Sequence, residues 1–423
     1  MSEIHAAFAR EILDSRGDPA LEVEIELESG ILGRASVPSE GGAAPLRELR
    51  DGDRKRCRGL GLLRAIDAVE EKISPELEGR DPVDQLDIDR LLAELDGTPK
   101  CEKLGVNVML AVSLATARAA AAELGMPLYR SLGGPNAKVL PVPMIPVIEG
   151  AAAGNGVPLA LREVMIRPAG VGSFREAVEA AMEVRCRLRS ALDAAGIAPA
   201  PGAGGAFAPV FRGGAAEAIE TLLKAIDLAG YRPGREISLA VDFAADEFFR
   251  NGSYDCRSCE GEKVPCRSPE EQLEYIGKLT QLYPIDSVID GVAAADEEGW
   301  RSLGDRLGDR CRVIGGALLA VGPERFADAI GDGLVGGALI KPLFCGTVTA
   351  LLDAADLARR AGCAGVISRS AAETDDAAIA DLAVAAGTGE IAAGPLTGSG
   401  SLGKYDQLLR IEEELGEFAL YGA

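Results

Sequence analysis

The chain has 423 residues, 47% of them hydrophobic and 26% charged, and its 66 Asp and Glu against 44 Lys and Arg give a formal net charge of −22. That sign argues against nucleic acid or an anionic membrane as a main partner, and it disfavours anionic substrates unless local cations or metal ions reverse the field. The one histidine, His5, removes Ser-His-Asp triads, His-metal sites and histidine acid–base chemistry in one step.

The length fits one modest domain plus an α/β barrel of roughly 250 residues. No purely apolar run reaches the ~18 residues of a membrane span. The start, Met1-Ser2-Glu3-Ile4-His5, lacks the basic and apolar regions of a signal peptide, so a cytoplasmic location is expected. Nine cysteines in such a chain are expected as reduced thiols.

In chain order, Leu-Glu-Val-Glu-Ile-Glu-Leu-Glu at 21–28 alternates strictly, which predicts a half-buried strand with an acidic face. Gly30 turns into a second strand near 31–37, a hairpin. Helical periodicity follows in 59–75 (Leu63, Ile66, Val69, Ile73), in 82–96 and in the Ala-rich 105–124. Strands followed by helices predict an N-terminal α+β capping domain over 1–135, with Gly133-Gly134-Pro135-Asn136 as the linker.

From 139 to 423 short apolar strands alternate with amphipathic helices, which predicts a TIM-like α/β barrel. Helices near 173–196 and 269–282 open on capping boxes, Ser173 with Glu176 and Ser268 with Glu271. The Gly- and Ala-rich 197–215 reads as a long loop. Strands are expected to end near Asp242, Ile289, Gly315, Ile340, Ser368 and Ala393. Side chains at such ends form the barrel mouth, so Lys341 and Asp242 are either an ion pair there or part of a site.

Several long motifs resemble the enolase family, in the right order and over essentially the whole chain. They are Glu11-Ile12-Leu13-Asp14-Ser15-Arg16-Gly17-Asp18-Pro19, Leu49-Arg50-Asp51-Gly52-Asp53, Leu132-Gly133-Gly134-Pro135-Asn136 and Leu140-Pro141-Val142-Pro143-Met144. Later come Leu339-Ile340-Lys341-Pro342 and the run from Lys404 to Leu415. The resemblance implies an enolase-type barrel with irregularly ordered first strands, and a homodimer or a higher assembly of dimers. It also implies a lyase interconverting 2-phosphoglycerate and phosphoenolpyruvate. In that reaction a Lys removes a proton, Mg²⁺ stabilises the enolate and a Glu assists loss of hydroxide.

Position by position, the resemblance puts the proton-abstracting Lys on Lys341, the first metal carboxylate on Asp242 and a Glu assisting the acid step on Glu163. The other positions depart. The acid falls on Gly204, the second and third metal carboxylates on Ile289 and Gly316, the phosphate Arg on Ser370 and a substrate Lys on Ala392. Arg369 stands where the family has His, the family's His loop reads Ala151-Ala152-Ala153-Gly154, and its mobile Ser-rich loop is shortened to Ser39-Glu40-Gly41-Gly42-Ala43-Ala44. Asp290 neighbours a missing ligand, but strand alternation turns it away from the metal; Arg369 is likewise one residue out of register, within reach of an anion only if the loop bends. Asp242 is left as the lone ligand of the triad, so Mg²⁺ is not expected in the usual way.

Cys256-x-x-Cys259 with Cys266 lies where enolases have a surface hairpin. It supplies either three thiolates to Zn²⁺ or part of an iron–sulfur site, with a fourth ligand still wanting, or incidental, oxidisable thiols. The expectation is a catalytically degenerate homologue with a binding or assembly role, co-assembly with an active enolase included. The alternatives are an altered lyase using Lys341 as base, or a working phosphopyruvate hydratase if the losses at the mouth are compensated.

Overall fold

The alternating stretch forms β2 (Pro19–Leu27), between β1 (Ile4–Leu13) and β3 (Leu32–Val37) in an antiparallel sheet ordered β1-β2-β3. In this computed structural model, residues 2–40, 46–150, 159–257, 266–308, 310–319 and 323–422 are described. The hairpin expected from Gly30 is present, whereas β1 was unmarked in the sequence because its exposure follows no clean alternation. The acidic face of β2 is covered. Glu24 is buried, 2.6 Å from Arg34 Nη2 on one oxygen and paired with Arg10 on the other, so flanking strands neutralise it.

The expected helices are α1 (Gln85–Asp96) and α2 (Val106–Glu123), while 59–75 becomes a helical run from Leu63 to Leu77 with a π segment at Ala68–Ile73. Asp84 caps α1 by accepting from the Asp87 amide, and Gly97 ends it at φ 60°. The apolar α2 has the length and hydropathy of a membrane span, yet 83% of it is buried inside the protein. It lies directly on the sheet: a Cβ at Gly33 would sit 2.1 Å from the Ala115 carbonyl oxygen, so only glycine permits that approach.

Among the described residues the barrel is built on β4 (Ile145–Glu149), β5 (Glu163–Arg167), β6 (Ser238–Asp242), β7 (Ile285–Ile289), β8 (Arg312–Gly315), β9 (Gly337–Ile340), β10 (Ala364–Ser368) and β11 (Gly389–Ala392). β4 runs antiparallel to β5 and β5 to β6; the rest are parallel, which is the irregular start implied above. Val142-Pro143, just ahead of β4, pairs with β11, and the Met144 amide donates to the Ile391 carbonyl at 2.8 Å, closing the ring. Met144, Met165, Ala240, Ile289, Ile314 and Val366 fill its interior.

Ser268 and Glu271 make the full capping box expected of them. Ser173 makes half of one: it accepts from the Glu176 amide, but the Glu176 carboxylate takes the Gly172 amide at 2.7 Å instead of that of Ser173. The 197–215 loop is pinned where Phe207 bridges Ile148 and Pro201. Between the domains, Arg118 grips Asp376 with two bonds of 2.6 and 2.7 Å, and the Ser36 amide donates to the same carboxylate.

Candidate active site at the barrel mouth

Strand register decides which side chains meet here. Glu149 pairs with Glu163, Glu163 with Asp242, and Asp242 with Ile289, so three carboxylates and then an isoleucine stand in one row across four strands. Glu163 reaches the mouth from the start of its strand because β5 is antiparallel to β6. Ile289 belongs to the apolar interior, and nothing at its position can bind a cation.

Each carboxylate has its own partner. Glu149, fully buried, accepts the Ala206 amide at 2.7 Å and the Gly204 amide at 3.1 Å. A Cβ on Gly204 would lie 2.8 Å from that carboxylate, so Glu149 fills the space above the position where the resemblance expects the acid. Glu163 accepts from Arg369 Nη2 at 3.0 Å. Burial pushes the Glu163 carboxyl above the usual carboxylate range; Arg369 and Arg162 pull it down, while Asp242 and Glu149 push it up. Asp242 accepts the Ala244 amide at 2.9 Å and faces Arg162 Nη1 at 3.5 Å, and this pairing is what chiefly raises Arg162.

Asp290 corrects the expectation that it faces away. It follows the last residue of β7 with φ 44°, a left-handed turn in which strand alternation no longer applies. Its carboxylate folds over Gly316, accepting amides from Gly316 at 2.7 Å and Ala317 at 3.0 and 3.1 Å. Burial, and then the charge of Asp242, push it up to about 7. Arg369, one residue past β10, also reaches the mouth despite its shifted register, as its bond to Glu163 shows.

Lys341 and Asp242 do not pair with one another. Lys341 Nζ lies 3.4 Å from Glu40 Oε2 and 4.9 Å above the Phe344 ring. Glu40, a buried residue of the N-terminal domain, accepts the Ala371 amide with its other oxygen. Glu40, Glu149 and Arg162 escaped the sequence reading as site residues. The one signal was local: Glu149 ends an apolar strand, where a barrel exposes side chains at its mouth, and Arg162 adjoins Glu163.

In the cysteine group, Cys256 is buried against Ala160 and Phe248 and accepts from Arg267 Nη1 at 3.5 Å, Cys266 is exposed, and Cys259 lies outside the described residues. The structure therefore leaves the zinc expectation untested.

The described residues form an α/β barrel under an α+β cap, with ionisable groups gathered at the strand ends, and this defines the architectural class of the protein. The enolase N-terminal domain family matches residues 4–132 and the enolase C-terminal TIM barrel domain family matches 137–423, so the chain belongs to the enolase family.

Enolases generally use Mg²⁺, and the described residues at this mouth do not fit it. Among the described residues, no group of three or more His, Cys, Asp or Glu side chains is placed to hold a metal ion. Asp290 spends both oxygens on backbone amides, Asp242 spends one on Ala244 and turns the other to a guanidinium, and Ile289 offers none. An octahedral site with several oxygen ligands is not assembled from that set.

Proposed function

We propose that this chain is a pseudoenzyme with respect to 2-phosphoglycerate dehydration, keeping the enolase scaffold for a binding or assembly role. One observation carries the reading: the three mouth cations described above each face a carboxylate of the chain itself. Arg162 faces Asp242, Lys341 faces Glu40 and Arg369 faces Glu163. A substrate with both a phosphate and a carboxylate needs positive charge free to meet it. Here Glu40, Glu149, Glu163, Asp242 and Asp290 outnumber those three cations. Lys341, the residue matching the family's base, has its ammonium engaged before any substrate arrives.

The test is phosphoenolpyruvate formation from 2-phosphoglycerate with excess Mg²⁺. Each absent electrostatic partner costs about 100- to 1,000-fold, so no turnover above background is expected. Turnover near that of an ordinary enolase would sink the reading.

A second reading, an altered lyase acting on a less charged substrate through Lys341, draws support from Asp290, raised to about 7 and so suited to proton exchange near neutral pH, and from Glu163, which burial also raises. If Lys341→Ala left every detected activity intact, that reading would fail. The assembly role, as a homodimer or with an active enolase, is tested by co-purification from the native cell; recovery of the homo-oligomer alone counts against co-assembly.

A further inference from the structure

We infer that Arg162 is the resident cation of this barrel mouth, its guanidinium taking the place among the carboxylates that a divalent metal ion would need. Register sets Glu163 beside Asp242, and Asp290 comes to the same end of the barrel by its turn after β7. Three acidic groups gathered there repel one another unless positive charge lies among them. Arg162 supplies it. Its amide donates to the Asp242 carbonyl at 2.8 Å, which anchors the residue at the rim next to Glu163. Its guanidinium faces Asp242 Oδ2 at 3.5 Å, and Asp242 is its strongest electrostatic partner, followed by Asp290, Glu163 and Glu247.

The side chain is 37% exposed while that of Asp242 is 7% exposed, so the guanidinium sits on the solvent side of the carboxylate. A hydrated ion would approach from that side. A guanidinium does not lose its proton in the physiological range, so the positive charge is permanent. A divalent ion entering the mouth would meet this fixed charge, and the Asp242 oxygen it could take is the one the guanidinium faces.

The inference does not rest on the mouth being inactive. A metal-free mouth could still turn over a substrate, and an inactive one could still hold a metal. Binding is therefore the readout, with Mn²⁺ as a paramagnetic probe of divalent-ion sites and the whole chain as the sample. The wild-type protein is expected to leave millimolar Mn²⁺ free. Arg162→Gln, folded by circular dichroism, is expected to gain weak Mn²⁺ binding at Asp242, at least about tenfold tighter than anything in the wild type though short of a full octahedral site, since a neighbouring unit charge is worth about that factor. Adding Asp242→Asn should abolish the gained site, and Arg162→Lys, which keeps the charge, should behave as wild type. Stoichiometric Mn²⁺ binding by the wild type that Asp242→Asn removes overturns the inference. So does a folded Arg162→Gln that binds no more Mn²⁺ than the wild type. Should Arg162→Gln fail to fold, Arg162→Lys decides with the wild type: Mn²⁺ held by either overturns the inference, and its exclusion by both supports it.

Discussion

At the end of the barrel where the parallel strands begin, Glu390 accepts from both Arg167, at 2.5 Å, and Arg312, while Arg167 also lies 3.0 Å from Asp286. At the mouth, the pairs are one to one and looser, 3.0 Å for Arg369–Glu163, 3.4 Å for Lys341–Glu40 and 3.5 Å for Arg162–Asp242. The first cluster is a fused network, crowded enough that Glu390 Oε2 and Arg167 Nε are buried without a hydrogen-bond partner. The mouth draws its partners from separate pieces of the chain: a segment of the N-terminal domain, the start of β5 and the turn after β10. Both ends are neutralised from within. Only the mouth is neutralised by contacts that a single substitution can undo without loosening several strands.

Glu390→Ala should have the largest effect on stability. It removes the carboxylate that Arg167 and Arg312 share in a largely buried setting, leaving both arginines to Asp286 and Ser287, and a loss of about 3 kcal/mol is expected in urea unfolding. A loss as small as that of a surface pair would erase the contrast between the two ends.

Asp290 at the mouth gives a pH signature. Its folded-state carboxyl is raised to about 7 from an ordinary 3.8, so the folded protein keeps a proton that the unfolded chain releases. Between those values stability falls as pH rises, and the slope vanishes above the folded value. Asp290→Asn should flatten that window, matching the wild type near its acid end and exceeding it at alkaline pH by up to about 4 kcal/mol. An unchanged slope in thermal unfolding against pH would remove Asp290 as its source.

Glu163→Gln should cost less, about 1 kcal/mol, because the amide keeps a neutral hydrogen bond to Arg369 in place of the ion pair. It removes the charge facing Arg369, so the variant should bind inorganic phosphate where the wild type does not, as read by calorimetry. Glu40→Gln should have the smallest effect on stability, under about 1 kcal/mol, since the amide still accepts from Ala371 and the ion pair it loses is long at 3.4 Å. Its readout is a gain in the reactivity of Lys341 toward an amine-directed label. No gain would show that Glu40 does not engage the lysine.

The barrel was legible because each strand end coincides with a change from apolar run to turn residues. Asp242, Ile289, Gly315, Ile340 and Ser368 all terminate strands as expected, and the last strand ends at Ala392, one residue early. Strand alternation stopped being a guide one residue further on. Asp290 adopts a left-handed backbone that nothing in Ile-Asp-Gly specifies, and Arg369 reaches Glu163 across the mouth from a position that looked out of register. Glu149 and Glu40 could not be found by spacing, because their partners are backbone amides and a lysine 301 residues away. Long-range pairing is fixed by the closed barrel and not by any local pattern.

The most direct test of internal neutralisation is calorimetric titration of 2-phosphoglycerate into the 423-residue chain with Mg²⁺ in excess. The pairing of Arg162, Lys341 and Arg369 predicts no saturable binding at millimolar ligand and none of the product. Sub-millimolar binding weakened by Lys341→Ala or Arg369→Ala would show that those cations are available to a dianion, and would contradict it.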